Sequence, residues 1–168
     1  MADIDPELLE GFLEESRKLT QNLLQILEDL EGSPEKVSDL ANYGNQVDRV
    51  MGGAKSLAIM VPVTHALHMI SDYAELCKIV GYKGSQIRNN EQFFNIVVAL
   101  LLDATETLVL LLDRIHEPTE ALRKTFSDTF VERLKWVSHQ FGDGYAQTVQ
   151  SQKLGQDEID KLMSKLGF

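Results

Sequence analysis

A carboxamide and a carboxylate on one face of a predicted helix are the side chains best suited to chemistry in this sequence. Asn45 precedes Asp48 by three residues, so a helix places both side chains on the same side. A carboxamide can donate to a phosphoryl oxygen and accept from an attacking water, which suits in-line hydrolysis. A carboxylate would repel a phosphoryl group unless it pairs with a lysine or metal ion beside that group. The pair is therefore a candidate catalytic pair for a partner that carries a phosphoryl group, or else a docking face without chemistry.

Two other pairs combine an acid with an amide. Asp39 and Asn42 are three residues apart, but Asp39 lies nine residues before Asp48, about half a turn around the helix from it. Asp143 and Gln147 are four residues apart, and the glycines on both sides of Asp143 disfavour the helix that would hold them. Both pairs stay open as alternatives.

The histidines and the cysteine favour a chain without a metal of its own. His65, His68 and Asp72 have a spacing that could place two imidazoles and a carboxylate on one helix face. Such residues are more often at the surface or partly packed, so we expect no metal site and no cofactor. The single cysteine, Cys77, cannot form an internal disulfide, which suits a reducing cytoplasm.

The composition limits the partners. With 43% hydrophobic residues, the 168-residue chain can bury a core as one domain with a short appendage. A formal net charge of −10 disfavours nucleic acid and anionic membranes. The first residues carry neither a basic region nor an apolar stretch, so we expect no export signal and a cytoplasmic protein. The most apolar segment, 93–112, contains Asp103 and Glu106 and is predicted to be a buried helix rather than a membrane span.

Apolar side chains at helical spacing organise most of the chain, and no segment has the alternation of a strand. The pattern predicts an all-α fold, with a bundle of four or five antiparallel helices in residues 1–140. The fourth helix is apolar on more than one side and is expected to be central. Residues 81–85 are predicted to form a loop. The predicted helices span residues 6–31, 33–60, 63–80, 89–115 and 119–140.

Three glycines lie within the second predicted helix, which is unusual for a helix interior. Gly44, Gly52 and Gly53 each cost about 0.8–1 kcal/mol relative to alanine in such a position. Their presence predicts that something approaches the backbone of this helix closely. The alternative is a loosely packed or kinked helix.

The end of the chain predicts a short amphipathic helix. Ile159, Leu162, Met163 and Leu166 recur at helical spacing on one face, and Gly167 is a natural stop. A helix of about ten residues is marginal alone in water, so it needs a surface on its own domain or on a partner.

Residues 141–153 separate this helix from the bundle. They are polar, contain two glycines and are predicted to be a linker. Because we expect the bundle to complete its core without the terminal helix, residues 154–168 are predicted to be a partner-binding peptide.

The terminal segment resembles two peptides that bind the chemotaxis regulator CheY. Residues 154–162 resemble the N-terminal peptide with which flagellar switch proteins bind phosphorylated CheY, and residues 159–168 resemble the C-terminal tail of the phosphatase CheZ. In both families the peptide folds as a helix on the same face of CheY. The resemblance implies a phosphorylated CheY-type receiver domain as the partner. The residues implied in its binding are Ile159, Asp160, Leu162, Met163, Leu166 and Phe168.

The opening of the chain resembles histidine phosphotransfer (Hpt) domains, which are helical bundles. Residues 8–16 are similar to the start of that family, and Gly52 and Leu57 align with its second-helix pattern. Asp48 stands where the pattern has its phosphoacceptor histidine, so ordinary phosphotransfer is expected to be lost. In the family the small residues let a receiver domain approach, which implies that Gly52 and Lys55 contact the partner.

These resemblances imply a cytoplasmic chemotaxis protein that binds a phosphorylated CheY-type response regulator and promotes its dephosphorylation. CheZ-like phosphatases share an Asp-x-x-x-Gln motif, which Asp143 and Gln147 match, while other CheY phosphatases use Glu-x-x-Asn, whose order Asn45 and Asp48 reverse. The Mg²⁺ of the reaction is expected in the receiver domain. Two alternatives stay open, a non-catalytic module that sequesters the regulator and a phosphotransfer protein with an unexpected acceptor. A homodimer is a further possibility, since the apolar fourth helix could face a second subunit.

Overall fold

Seven α-helices form the part of the chain that the computed structural model describes, residues 4–142 and 156–168. Those two ranges contain no β-strand, which confirms the predicted all-α fold. Two short 3₁₀ turns, Pro34–Asp39 and Arg123–Thr125, connect helices. The helices are α1 (Pro6–Leu30), α2 (Leu40–Ala58), α3 (Ala66–Gly84), α4 (Glu91–Asp113), α5 (Thr119–Leu122), α6 (Asp128–Gly142) and α7 (Gln156–Leu166).

Polar side chains just before three helices determine where those helices begin. Asp5 accepts a hydrogen bond from the backbone of α1, His65 from that of α3 and Asn90 from that of α4. Each cap satisfies an amide group that a helix N-terminus leaves without a partner. The second helix begins later than predicted, because Lys36 has non-helical backbone angles (φ −96°, ψ 16°) and only a 3₁₀ turn precedes Leu40.

The helices α1 to α4 are antiparallel to their neighbours in sequence, as individual contacts between them show. Along each pair, the residue number on the second helix falls as the number on the first rises. In addition, α4 packs against α1, which brings the first and last of the four together. Between α1 and α2, Phe12 meets Gly53 and Glu15 meets Arg49. Between α2 and α3, Asn45 meets Tyr82 and Asp48 meets Lys78. Between α3 and α4, Tyr73 meets Ala104 and Gly84 meets Val97.

The third helix is longer and more enclosed than the sequence predicts. It continues to Gly84, so residues 81–85 do not form the predicted loop. Gly81 and Gly84 face buried side chains of neighbouring helices and serve close packing rather than a turn. Of its 19 residues α3 buries 14, whereas α4 buries 11 of 23, so α3 is the more deeply buried of the two helices.

The predicted fifth helix is divided into two. α5 has four residues, and Phe126 adopts an extended backbone (ψ 118°) before α6 begins at Asp128. The hydroxyl oxygen of Ser127 accepts a hydrogen bond from the Phe130 amide at 3.1 Å, which starts the new helix. The break allows the Phe126 ring to pack against Tyr73, with ring centroids 5.2 Å apart.

One described helix, α4, is long and apolar enough to cross a membrane by length and composition alone. However, 50% of its most apolar window is buried inside the structure, and the core helix of a bundle meets the same criteria. Its contacts with α1, α3 and α6 are those of such a core helix.

Candidate functional site

Two glycines bring α2 and α3 into close contact beneath the predicted acid–amide pair. A Cβ atom on Gly44 would lie 2.6 Å from the ring of Tyr82, and one on Gly81 would lie 2.7 Å from the ring of Tyr43. Each glycine therefore accommodates a tyrosine from the opposite helix, which a larger residue would push away. This packing fixes the spacing of the two helices under the surface that carries the pair.

Asn45 is held in place by a tyrosine of the neighbouring helix. The Tyr82 hydroxyl donates a hydrogen bond to Asn45 Oδ1 at 2.6 Å. Burial, and then the nearby charge of Asp48, raise the pKa of Tyr82, so the hydroxyl keeps its proton and stays a donor. Because Asn45 is exposed, its NH₂ group and the second lone pair of Oδ1 are available to a partner.

Asp48 is neutralised by a lysine of its own chain. Lys78 Nζ lies 3.1 Å from Asp48 Oδ1, with the lysine side chain 15% exposed and the carboxylate 49% exposed. This ion pair reduces the repulsion that a bare carboxylate would exert on a phosphoryl group. A lysine or metal ion from a partner is not required for that purpose.

Gly52 differs from the other two glycines of α2. Gly44 faces Tyr82, and Gly53 faces Phe12 of α1, whose ring would lie 3.0 Å from an added Cβ. No atom of another helix lies within 4 Å of a Cβ added to Gly52. The predicted close approach is therefore made by the chain's own side chains at two of the glycines, whereas Gly52 leaves open space at the surface.

We call the surface made by Asn45, Asp48, Gly52, Lys78 and Tyr82 the α2–α3 face. The spacing of its three α2 residues places them along one stripe of that helix. Lys55 continues the stripe and is exposed. The structure thus brings four of the predicted site residues to one side of α2.

The alternative acid–amide pairs lack a comparable setting. Asp39 belongs to the 3₁₀ turn before α2, and Asn42 accepts a hydrogen bond from Gln46 Nε2 at 3.5 Å. Asp143 and Gln147 lie outside the described residues.

The histidines near the start of α3 form hydrogen bonds with backbone groups. His65 Nδ1 accepts a hydrogen bond from the Leu67 amide at 3.1 Å, and His68 Nε2 lies 3.1 Å from the Val61 carbonyl, to which it donates. Burial, followed by the charges of His68 and His116, lowers the pKa of His65, so Nδ1 stays unprotonated and can accept. In the described part of the chain, no three His, Cys, Asp or Glu side chains form a group that could hold a metal ion.

The terminal helix packs on its own bundle. α7 lies against α3 and α6, and its four apolar side chains are 0–6% exposed. Burying a side chain of this size is worth about 1.5–3 kcal/mol relative to leaving it in water. The expectation that the bundle completes its core without this helix is wrong, because α7 covers one side of α3. The buried residues are Ile159, Leu162, Met163 and Leu166.

The last two residues end α7 and add a contact with the bundle. Gly167 has a left-handed φ of 85°, and the Phe168 amide donates to the Met163 carbonyl at 2.9 Å. The Phe168 ring then meets the Phe126 ring edge to face, with centroids 4.9 Å apart. Asp160, the polar member of the predicted binding set, is exposed.

Charges on α2 and on the terminal helix both act on the Asp72 carboxyl group of α3. Burial is the largest influence on its carboxyl and raises its pKa, while the charge of Lys165 on α7 acts next, in the opposite direction. Lys55 on α2 also acts to lower this pKa.

The fold and the site together define an all-α protein that has a fixed polar face and a terminal helix docked on its own bundle. No family model, curated protein or solved structure matches this chain. Function therefore has to follow from the chemistry of the site itself.

The sequence interpretation missed Lys78 and Tyr82. Tyr82 fell in a predicted loop, and Lys78 lies on a different helix from the carboxylate it pairs with. The available signal was the pair of glycines, Gly44 and Gly81, because two helices that each carry a glycine can approach closely enough to share side-chain contacts.

Proposed function

We propose that this chain binds a phosphorylated CheY-type receiver domain and promotes the loss of its phosphoryl group. The α2–α3 face meets the active site of the receiver, and the apolar side of α7 supplies a second contact. The observation that carries the proposal is the fixed carboxamide of Asn45, which Tyr82 holds on an exposed part of α2. A positioned amide is what in-line hydrolysis requires from the partner of a receiver that supplies the metal ion itself.

Asn45 has the hydrogen-bonding groups that the reaction needs. A water oxygen forms a bond to phosphorus, the bond to the aspartyl oxygen of the receiver breaks, and a proton of the water passes to an oxygen of the departing phosphate. The products are inorganic phosphate and a free carboxylate. The Asn45 NH₂ group donates to a phosphoryl oxygen, and the second lone pair of Oδ1 accepts from the water. The Mg²⁺ and lysine of the receiver balance the charge of the phosphoryl group.

The rest of the face supports this arrangement. Lys78 balances the charge of Asp48, so the phosphoryl group can approach the carboxylate without strong repulsion. Gly52 leaves room for the backbone of the receiver next to Asp48. Lys55, exposed beyond Gly52, adds a positive charge toward the phosphorylated partner.

Release of inorganic phosphate from a phosphorylated CheY-type receiver tests the proposal. The wild-type chain should accelerate release, and Asn45→Ala should reduce the acceleration by about a hundredfold, as loss of one positioned donor does in other enzymes. Gln46→Ala is the matched control, because Gln46 is also an amide of α2 but hydrogen bonds to Asn42. The control should match the wild type. No acceleration by the wild-type chain would refute catalysis.

The same assay separates the alternative sites. Gln147→Ala tests the pair of Asp143 with Gln147, and Asn42→Ala tests the pair of Asp39 with Asn42. If one of these changes abolishes the acceleration while Asn45→Ala preserves it, the chemistry belongs to that pair.

A non-catalytic receiver-binding module is the second candidate. It is favoured by the ion pair between Asp48 and Lys78, which already satisfies one oxygen of the carboxylate. Such a module would bind the phosphorylated receiver and leave the rate of phosphate release unchanged. Transfer of labelled phosphate onto the chain would instead indicate phosphotransfer.

A further inference from the structure

We propose that α7 exchanges between two surfaces, the groove formed by α3 and α6 of its own bundle and the receiver domain. This inference rests on the proposed function, because the receiver provides the second surface. The free chain holds α7 in its own groove, and a phosphorylated receiver displaces it to reach the same apolar side chains. The groove therefore competes with the receiver and sets how tightly the receiver binds.

The helix has only one apolar side. An 11-residue helix is too short to be stable alone, so it needs an apolar surface in either state. Its four apolar side chains are buried against the bundle and cannot contact a receiver at the same time. Occupancy of the two surfaces is therefore mutually exclusive. The opposite side of the helix exposes Asp157, Asp160, Lys161, Ser164 and Lys165.

Apolar packing, rather than ion pairing, holds α7 in the groove. Within residues 4–142 and 156–168, no ion pair in direct contact joins α7 to the bundle, and the charge of Lys165 acts on Asp72 from a longer distance. One side-chain hydrogen bond connects them there, from Gln156 Nε2 to Ser138 Oγ at 2.9 Å. Apolar contacts are non-directional, so a second apolar surface can replace them at little cost.

The chain is long enough for the helix to leave the groove without leaving the site. Thirteen residues, 143–155, connect α6 to α7 and span at most about 45 Å when extended. The groove and the α2–α3 face share α3, so a receiver bound to α7 stays near that face. The connection raises the local concentration of the receiver there.

The competition has a quantitative consequence. The apparent dissociation constant for the receiver equals the intrinsic constant divided by the fraction of chains in which α7 is free. A change that weakens the groove and leaves α7 intact should therefore tighten receiver binding. Phe126 allows such a change, since its ring contacts Phe168 from the bundle side at a centroid distance of 4.9 Å.

Phe126→Ala tests the exchange by calorimetric titration of the full chain with a CheY-type receiver charged with beryllofluoride and Mg²⁺. Loss of this aromatic contact should tighten receiver binding by up to about tenfold. Leu110→Ala is the matched control, because it truncates a 49% exposed side chain of α4, outside the two helices that flank α7. The control should leave the affinity unchanged. Ser138→Ala, a milder change in the groove, should tighten binding about two- to fivefold.

Proton NMR of the wild-type chain provides a second readout. Nuclear Overhauser effects between the Phe126 and Phe168 rings should be present in the free chain and vanish when the receiver saturates it. Equal receiver affinity of the wild type and both groove variants, or ring contacts that persist in the saturated complex, would overturn the exchange. If the receiver binds none of these chains, the proposed function itself fails, and the exchange fails with it.

Discussion

The α2–α3 face and the groove that holds α7 lie on two sides of the same helix, and different forces maintain them. On the face, packed tyrosines and paired side chains fix polar atoms, with Tyr82 2.6 Å from Asn45 and Lys78 3.1 Å from Asp48. In the groove, apolar side chains hold a short helix with a single side-chain hydrogen bond among the described residues. Directional contacts suit a surface that positions a reacting group, whereas non-directional contacts suit a helix that changes its partner.

Changing a glycine beneath the face should have the largest effect on stability. Gly81→Ala places a methyl group 2.7 Å from the ring of Tyr43, which is fully buried and cannot easily move. We expect a loss of about 1–3 kcal/mol in the free energy of unfolding. Gly52→Ala, whose methyl group would meet no atom of another helix within 4 Å, should instead gain about 0.5–1 kcal/mol in the free energy of unfolding. Urea denaturation measures both changes, and an equal response would contradict the different roles of these glycines.

Removing the lysine of the face should affect binding more than stability. Lys78→Met leaves Asp48 without its cation, so affinity for a phosphorylated receiver should fall about tenfold. The free energy of unfolding should change by less than about 1 kcal/mol, because half of the carboxylate is exposed.

The charge itself can be tested with a double change. Lys78→Met combined with Asp48→Asn removes both charges. The double variant should restore the affinity toward the wild-type value in the calorimetric titration with the beryllofluoride-charged receiver. If the double variant binds as weakly as Lys78→Met alone, charge neutralisation is not the role of Lys78.

The free energy of unfolding should depend weakly on pH because of His65, which caps the start of α3. Burial first, and then His68 and His116, lower the pKa of His65 in the folded chain, so folding favours the neutral ring. The stability that this cap contributes is complete above the unfolded pKa of about 6.5 and is lost as the pH falls through the lowered folded pKa. Loss of one helix cap limits the effect to about 1 kcal/mol.

Urea denaturation on both sides of that pH range measures the dependence. His65→Asn is the control, because asparagine also caps a helix but does not titrate. Its stability should change less with pH than that of the wild-type chain. An equal pH response of the two chains would exclude His65 as the group responsible.

Local signals in the sequence predict some elements well. Gly32 follows the end of α1 with a φ of 70°, and the predicted end of this helix at residue 31 differs by one residue from the observed end at Leu30. The predicted end of α3 is wrong, because a sequence does not distinguish a glycine that forms a turn from one, such as Gly81, that accommodates a tyrosine of another helix. The break at Phe126 was missed because the packing of its ring depends on residues distant in sequence.

The same distinction applies to the site. Asn45 and Asp48 share one helix, so their spacing was sufficient to place them together. Tyr82 and Lys78 come from another helix, and only the tertiary packing shows that they hold the first two. For residues 154–168, periodicity predicted an apolar side but not the surface that covers it, because amphipathic spacing is the same for a helix docked on its own bundle or on a partner.

Combined changes of Asn45 and Tyr82 test the central claim, that a carboxamide held by Tyr82 speeds phosphate release from the receiver. The measured quantity is the rate of phosphate release with saturating chain. We expect Asn45→Ala to lower the acceleration about a hundredfold and Tyr82→Phe about tenfold. The double variant should be no slower than Asn45→Ala alone, because Tyr82 acts through Asn45. Multiplicative losses in the double variant, or full acceleration by Asn45→Ala, would contradict the claim.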